Sequence, residues 1–195
     1  MQIVSTLFLL LFYFVAAGQK VEYRHDSLFV NNFYVDAQTN KTTIDSLLGV
    51  KGKTKTSKDS YKINPATGKK VLRTTYFYYT LGLFFRYYDY DTVKLSVGIK
   101  LHRDTDTKRD KREELSETFA GQLYIADNYI NDKRKIEELK HLKNCSVTVD
   151  QASLGYYSKI IGGDIIYGEN IIRLTFDSNT TELKAVYIHH NFKDR

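Results

Sequence analysis

The sequence predicts an α+β protein of two similar units, each a curved antiparallel sheet with one short helix. Three observations carry that prediction. The apolar residues are mostly β-branched or aromatic, with 16 Tyr and 11 Phe against 1 Pro and no Trp, a composition that suits pleated, half-buried surfaces. Apolar residues alternate through residues 75–88, 93–101, 170–176 and 183–189, the period of strands with one buried face. The pattern also occurs twice. A shift of 89 residues places Leu83, Phe85 and Tyr87 on Ile172, Leu174 and Phe176. The same shift places Thr92, Val97 and Ile99 on Thr181, Val186 and Ile188. A repeated buried strand face leaves agreement of this alternate kind.

Residues 1–18 read as a secretory signal peptide. Residues 3–17 are apolar except for Ser5 and Thr6, and the run ends in Ala16, Ala17 and Gly18. As a helix this run would reach only ~22 Å, short of a ~30 Å hydrocarbon core. Residues 19–102 form the first β-rich unit. It opens with two short apolar runs around Asn31-Asn32, a turn pair that tolerates positive φ. Thr42-Thr43 then lead into Ile44, Leu47 and Leu48 at helical spacing, with Gly49 as the stop. The unit closes with long strands over 75–88 and 93–101. Residues 103–118 mix charges of both signs and read as an exposed linker. Residues 119–195 form the second unit, with a turn at Asp127-Asn128, a helix carrying Ile136, Leu139 and Leu142 capped by Asp132, and a closing strand pair.

Most site chemistries are absent from the sequence. Cys145 is the only cysteine, so an exported chain gains no internal disulfide, and the residue reads as a small apolar side chain. Asp104, Asp106 and Asp110 have calcium-loop spacing, but Arg109 and Leu115 stand where that loop needs Gly and Glu, and Lys108 takes a ligand position. His189 and His190 project to opposite faces of a strand and cannot easily chelate one ion; one would pack and the other meet solvent. No nucleophile elbow, phosphate-cradling glycine loop or Cys-His pairing occurs. No catalytic, cofactor or metal residues are therefore assigned. Carboxylates that meet only in space keep one enzyme reading open, a hydrolase of envelope glycans or lipids. Acceptor sequons begin at Asn40, Asn144 and Asn179 and matter only in a eukaryotic secretory route.

The chain carries a formal charge of +6, and residues 51–73 hold seven Lys and one Arg against the single acid Asp59. Residues 51–58 lack apolar periodicity and read as flexible. Residues 61–63 and 70–72 flank the turn Asn64-Pro-Ala-Thr-Gly68 as a protruding hairpin. Lys51, Lys53, Lys55, Lys58, Tyr61, Lys69, Lys70 and Arg73 are the candidate partner-binding residues, suited to a protein face or an anionic surface. The competing reading is a solvated loop whose lysines blunt an edge strand. Nucleic acid is excluded by the expected export and by the missing stacking platform. Residues 76–79 and 84–88 place aromatics on both strand faces, so one face is core and the other is a contact surface unless something covers it.

The order of elements resembles an uncharacterised family of exported, internally duplicated β-rich bacterial domains. The likeness rests on Thr42-Thr-Ile-Asp-Ser-Leu-Leu48, Tyr79-Thr-Leu-Gly-Leu-Phe-Phe85 and residues 93–101, with a fainter echo over 119–192. The basic insertion before Arg73 departs from that pattern. The resemblance implies no established activity and transfers no catalytic residue. The function expected is thus a non-catalytic binding module in the periplasm or outside the cell, an inhibitor or immunity-type role being one version. No membrane span remains once the leader is cleaved, and oligomeric state is left open.

Overall fold

The computed structural model describes residues 18–90, 95–103, 115–150, 161–168, 170–177 and 180–190. The expected leader, most of the expected linker, the calcium-like aspartates and Asn179 lie outside the described residues. Thirteen described strands form two sheets: β1 (Lys20–Arg24), β2 (Ser27–Val30), β3 (Phe33–Val35), β4 (Lys53–Ile63), β5 (Lys70–Tyr78), β6 (Leu83–Tyr88), β7 (Leu95–Lys100), β8 (Gln122–Ile125), β9 (Asn128–Ile130), β10 (Ser146–Asp150), β11 (Ile161–Tyr167), β12 (Asn170–Phe176) and β13 (Leu183–His190). The five-stranded sheet runs β3-β2-β1-β8-β9, and the eight-stranded sheet runs β10-β11-β12-β13-β7-β6-β5-β4. Among the described strands only β1 and β8 pair in parallel. The chain is thus mostly β, with few helical residues. Each sheet draws strands from both halves of the sequence, so the expected division of one sheet per unit gives way to two shared sheets.

Turn chemistry explains the tight hairpins. Asn31 and Asn32 have φ of 50° and 67°, and Ala126 and Asp127 have 48° and 65°, the left-handed pairs that two-residue turns need. The second turn therefore sits one residue before the expected Asp127-Asn128. Asn128 starts β9 instead, and its side-chain amide donates to the carbonyls of Ile125, Ala126 and Lys143. A third such turn, His25-Asp26 with φ of 49° and 52°, links β1 to β2. The stretch expected as one strand over 75–88 is broken by a 3-10 turn at Tyr79–Leu81 and by Gly82, whose φ is 61°. The first helix, Lys41–Leu48, starts at Asn40, whose side chain accepts from the Thr43 N–H, and stops at Gly49. The second is shorter than expected, Ile136–Leu139.

One hydrophobic core lies between the sheets. Val21, Tyr23, Leu28, Val30, Leu123 and Ile125 meet Leu83, Phe85, Val97 and Ile99, together with Ile172, Leu174, Val186 and Ile188. Ile44, Leu48 and Leu139 bring both helices into the same core. At the centre of the large sheet Gly98 pairs with Tyr187, flanked by Val97↔Ile188 and Ile99↔Val186. Shifting by 89 residues turns the pairs Leu83↔Ile99 and Phe85↔Val97 into Ile172↔Ile188 and Leu174↔Val186, which also pair. Among the described residues, no helix is long and apolar enough to cross a membrane.

Candidate functional site

The basic segment is a hairpin at the edge of the eight-stranded sheet. β4 and β5 pair from Lys53↔Phe77 to Lys58↔Leu72, are irregular between Lys58 and Ile63, and rejoin at Ile63↔Lys70. Residues 53–58 are therefore strand rather than flexible loop. An edge strand needs no apolar face of its own, and alternating Lys and Thr satisfy one ladder while keeping the other side solvated. The tip is tied by Gly68 N–H to the Asn64 carbonyl at 2.8 Å and by Ala66 N–H to Asn64 Oδ1 at 2.9 Å.

Strand alternation divides the expected basic patch in two. Lys53 and Lys55 share the face of Phe77 and Thr75, and the Lys53 ammonium lies 5.8 Å from the Tyr79 ring centre. Lys58 falls on the opposite face, opposite Leu72. There Lys58, Lys69 and Lys70 line a cleft of about 460 Å³ with Asn64, Thr67, Leu72 and Asp89. None of these three ammonium groups pairs with a carboxylate among the described residues. The one acid in the cleft, Asp89, accepts the Leu72 N–H through Oδ1 at 2.8 Å. Such a site offers ammonium, amide and hydroxyl donors to an anionic group.

The remaining candidates stand apart from the cleft. Arg73 is committed to Asp59, at 3.8 Å, and donates to Ser57 Oγ at 2.9 Å. Lys51 is exposed ahead of β4, and Tyr61 lies on β4 with its side chain outside the described residues. Sequence reasoning missed Asn64, Thr67, Leu72 and Asp89 as lining residues. Asn64 and Thr67 were visible as turn formers, whereas Asp89 arrives from the β6–β7 connection and carried no local signal.

The aromatic contact face expected at 76–79 and 84–88 is covered. Tyr78 and Phe85 are in the main core, with Tyr76 and Tyr87 packed against it, and Phe77 and Phe84 form a second cluster with Leu115. The two histidines do point to opposite sides, but both are largely enclosed. His190 is buried, with Nδ1 hydrogen-bonded to the Tyr23 hydroxyl at 3.0 Å, and His189 Nδ1 is 2.9 Å from Ser96 Oγ. Desolvation first, then the charge of Arg173 and Lys62, pushes the His189 pKa down. Cys145 is half-buried against the core, and burial pushes its thiol up, away from the reactive thiolate. No protein-family model, curated protein or solved structure matches the chain.

Proposed function

We propose that this protein is an exported, non-catalytic binding module that recognises a protein or an anionic surface through the tip of the β4–β5 hairpin. One observation carries the reading: Lys58, Lys69 and Lys70 surround a cleft and have no carboxylate partner among the described residues. Uncompensated charge lining a concavity attracts an oppositely charged partner from a distance and fixes its orientation on contact. The apolar leader of the sequence supports export to the periplasm or beyond. The 89-residue relation of the β6–β7 and β12–β13 registers supports two similar units, as in the exported bacterial domains this chain resembles. An envelope hydrolase would need two carboxylates about 5 to 10 Å apart, and the cleft is lined by one.

The test is recovery of partners from the protein's own source, using wild type and the triple variant Lys58→Ser, Lys69→Ser, Lys70→Ser. The expected result is a partner retained by wild type, released by salt and lost by the variant. Equal recovery by both proteins would remove the cleft as the binding site.

A further inference from the structure

The β4–β5 hairpin runs past its neighbour. β5 pairs with β6 only from Arg73↔Tyr88 onward, while its pairing with β4 continues to Ile63↔Lys70. The turn and the residues flanking it therefore stand clear of the sheet, and residues 65–70 are all exposed. Ile63 is 62% exposed and Leu72 40%, so two large apolar side chains are left in water at this end of the molecule. Cross-strand partners and alternate residues share a face, which puts Ile63, Lys70, Leu72 and Lys58 on one side of the tip. No acidic residue occurs between Asp59 and Asp89. Asp59 is buried and faces Arg73, and Asp89 is turned onto the Leu72 N–H.

The tip is also closed on itself. Asn64 N–H donates to the Lys69 carbonyl at 2.8 Å, and the Thr67 and Gly68 N–H groups donate to the Asn64 carbonyl at 3.3 and 2.8 Å. Ala66 N–H donates to Asn64 Oδ1 at 2.9 Å, and Lys69 N–H to Thr67 Oγ1 at 3.4 Å. Pro65 has no N–H to satisfy. From Asn64 to Lys69 every amide donor is thus paired within the turn, so the tip can leave bulk water without stranding a bare donor.

We infer that this tip docks on the surface of an anionic lipid bilayer. Ile63 and Leu72 enter the boundary between headgroups and acyl chains, while Lys58, Lys69 and Lys70 meet lipid phosphates. The inference rests on the reading of the tip as the binding site and names its partner. Apolar burial and attraction to anionic lipid add at such an interface, and together they hold a protein there without a span. A protein partner fits less well. Two strands about 5 Å apart make a narrow tip, well short of the ~800 Å² that a stable protein interface takes from each side. A fluid surface demands neither that area nor a matching shape.

The chain has no Trp, so Ile63→Trp places a single fluorescent reporter at the tip of the natively produced protein. Vesicles of phosphatidylcholine with about one-third phosphatidylglycerol, an anionic surface, should shift its emission to the blue. Bromine on the upper acyl chains should quench it. Pure phosphatidylcholine vesicles and free glycerol phosphate should do neither. In vesicle cosedimentation, Ile63→Ser with Leu72→Ser should weaken binding by about tenfold or more. Each of Lys58→Ser, Lys69→Ser and Lys70→Ser should weaken it by about fivefold. All these positions are exposed, so the core stays intact. An unshifted emission, equal quenching by both vesicle types, or an Ile63 and Leu72 variant that binds like wild type would each overturn the inference. If vesicles are ignored while the triple lysine variant still loses a protein partner, the tip remains the site and its lipid partner is wrong. If neither vesicles nor partners respond, the site itself falls.

Discussion

The two ends of the eight-stranded sheet agree on the face turned to the core and disagree on the other. Inside, Leu83, Phe85 and Val97 are answered by Ile172, Leu174 and Val186, all fully buried. Outside, the cross-strand pair Phe77↔Phe84 stands where the second half has Asp164↔Arg173. The aromatic pair lies beneath Leu115, and the charged pair is an ion pair at 3.3 Å with half-open side chains. The same backbone geometry thus accepts rings where chain covers them and charges where water does. Packing fixes the inner face, and local cover decides the outer one. The basic cleft lies on the hairpin where the halves differ most, an eleven-residue β4 against a five-residue β10.

If the inner faces form one core, damage to either half should unfold both. Phe85→Ala and Leu174→Ala remove matched, fully buried side chains. Losses of about 3–5 and about 2–5 kcal/mol are expected from large-to-small core substitutions. Chemical denaturation followed by fluorescence and by circular dichroism should give one coincident transition for each variant. Separate transitions would divide the molecule into two independent units and break the comparison.

The next largest effect tests the asymmetry at the sheet centre. A Cβ on Gly98 would collide with the Phe84 ring, so the first half keeps its outer ring only because the facing residue has no side chain. Gly98→Ala should cost about 1–3 kcal/mol, the usual range for overpacking. The cost should shrink in a Phe84→Ala background, read as a non-additive double-mutant cycle. A cost that is the same in both backgrounds would place the strain elsewhere.

How much of this was legible in the sequence follows from the same division. The alternation of 83–87 and 97–99 with their counterparts reports an inner face that packing dictates, and the register follows the 89-residue shift. Gly49 marks its helix end because few other residues take a φ of 68°. β1 was missed, since it is held by β8, which lies about a hundred residues away in the chain. Residues 53–58 of β4 read as loop because a Lys-Thr edge strand has no apolar period, whereas 61–63 read as a hairpin arm. The lysines of the site were visible one by one. Their division between two faces depends on strand pairing, which no local pattern encodes.

A smaller difference between the halves concerns acid. Asp45 accepts from the Gly52 N–H and the Tyr78 hydroxyl, at 3.0 and 2.8 Å, and from the Lys41 ammonium. Burial works against its ionisation, but the hydrogen bonds from Gly52, Lys41 and Tyr78, with the Lys41 charge, outweigh it and hold the carboxyl below its usual range. The position 95 residues on from Asp45 is Lys140, just past the end of the second helix, and Ile165 faces Ile172 where Tyr78 faces Leu83. Because the folded pKa lies below the unfolded one, the stabilisation is complete above about pH 4 and is lost as pH falls through the folded value. Asp45→Asn should cost about 1–2 kcal/mol at neutral pH. The gap from wild type should narrow below pH 4; a gap that stays constant with pH would place the effect in packing rather than charge.

The smallest effect is the most pointed. Tyr87 and Phe176 occupy equivalent inner positions, so the halves differ there by a single hydroxyl. That hydroxyl is buried without a hydrogen-bond partner, and burial, then Tyr76 and Asp36, pushes the phenol pKa up. Removing an unsatisfied buried polar atom while keeping the ring is nearly neutral or stabilising, whereas removing a bonded one costs about 1 kcal/mol. Tyr87→Phe should therefore leave the denaturation midpoint unchanged or raise it slightly, despite altering a core position. Tyr78→Phe, which strips a hydroxyl donated to Asp45, should lower it. If Tyr87→Phe proved the more damaging of the two, the hydroxyl would have a partner, and the first half would owe that position to hydrogen bonding rather than to the shape it shares with the second.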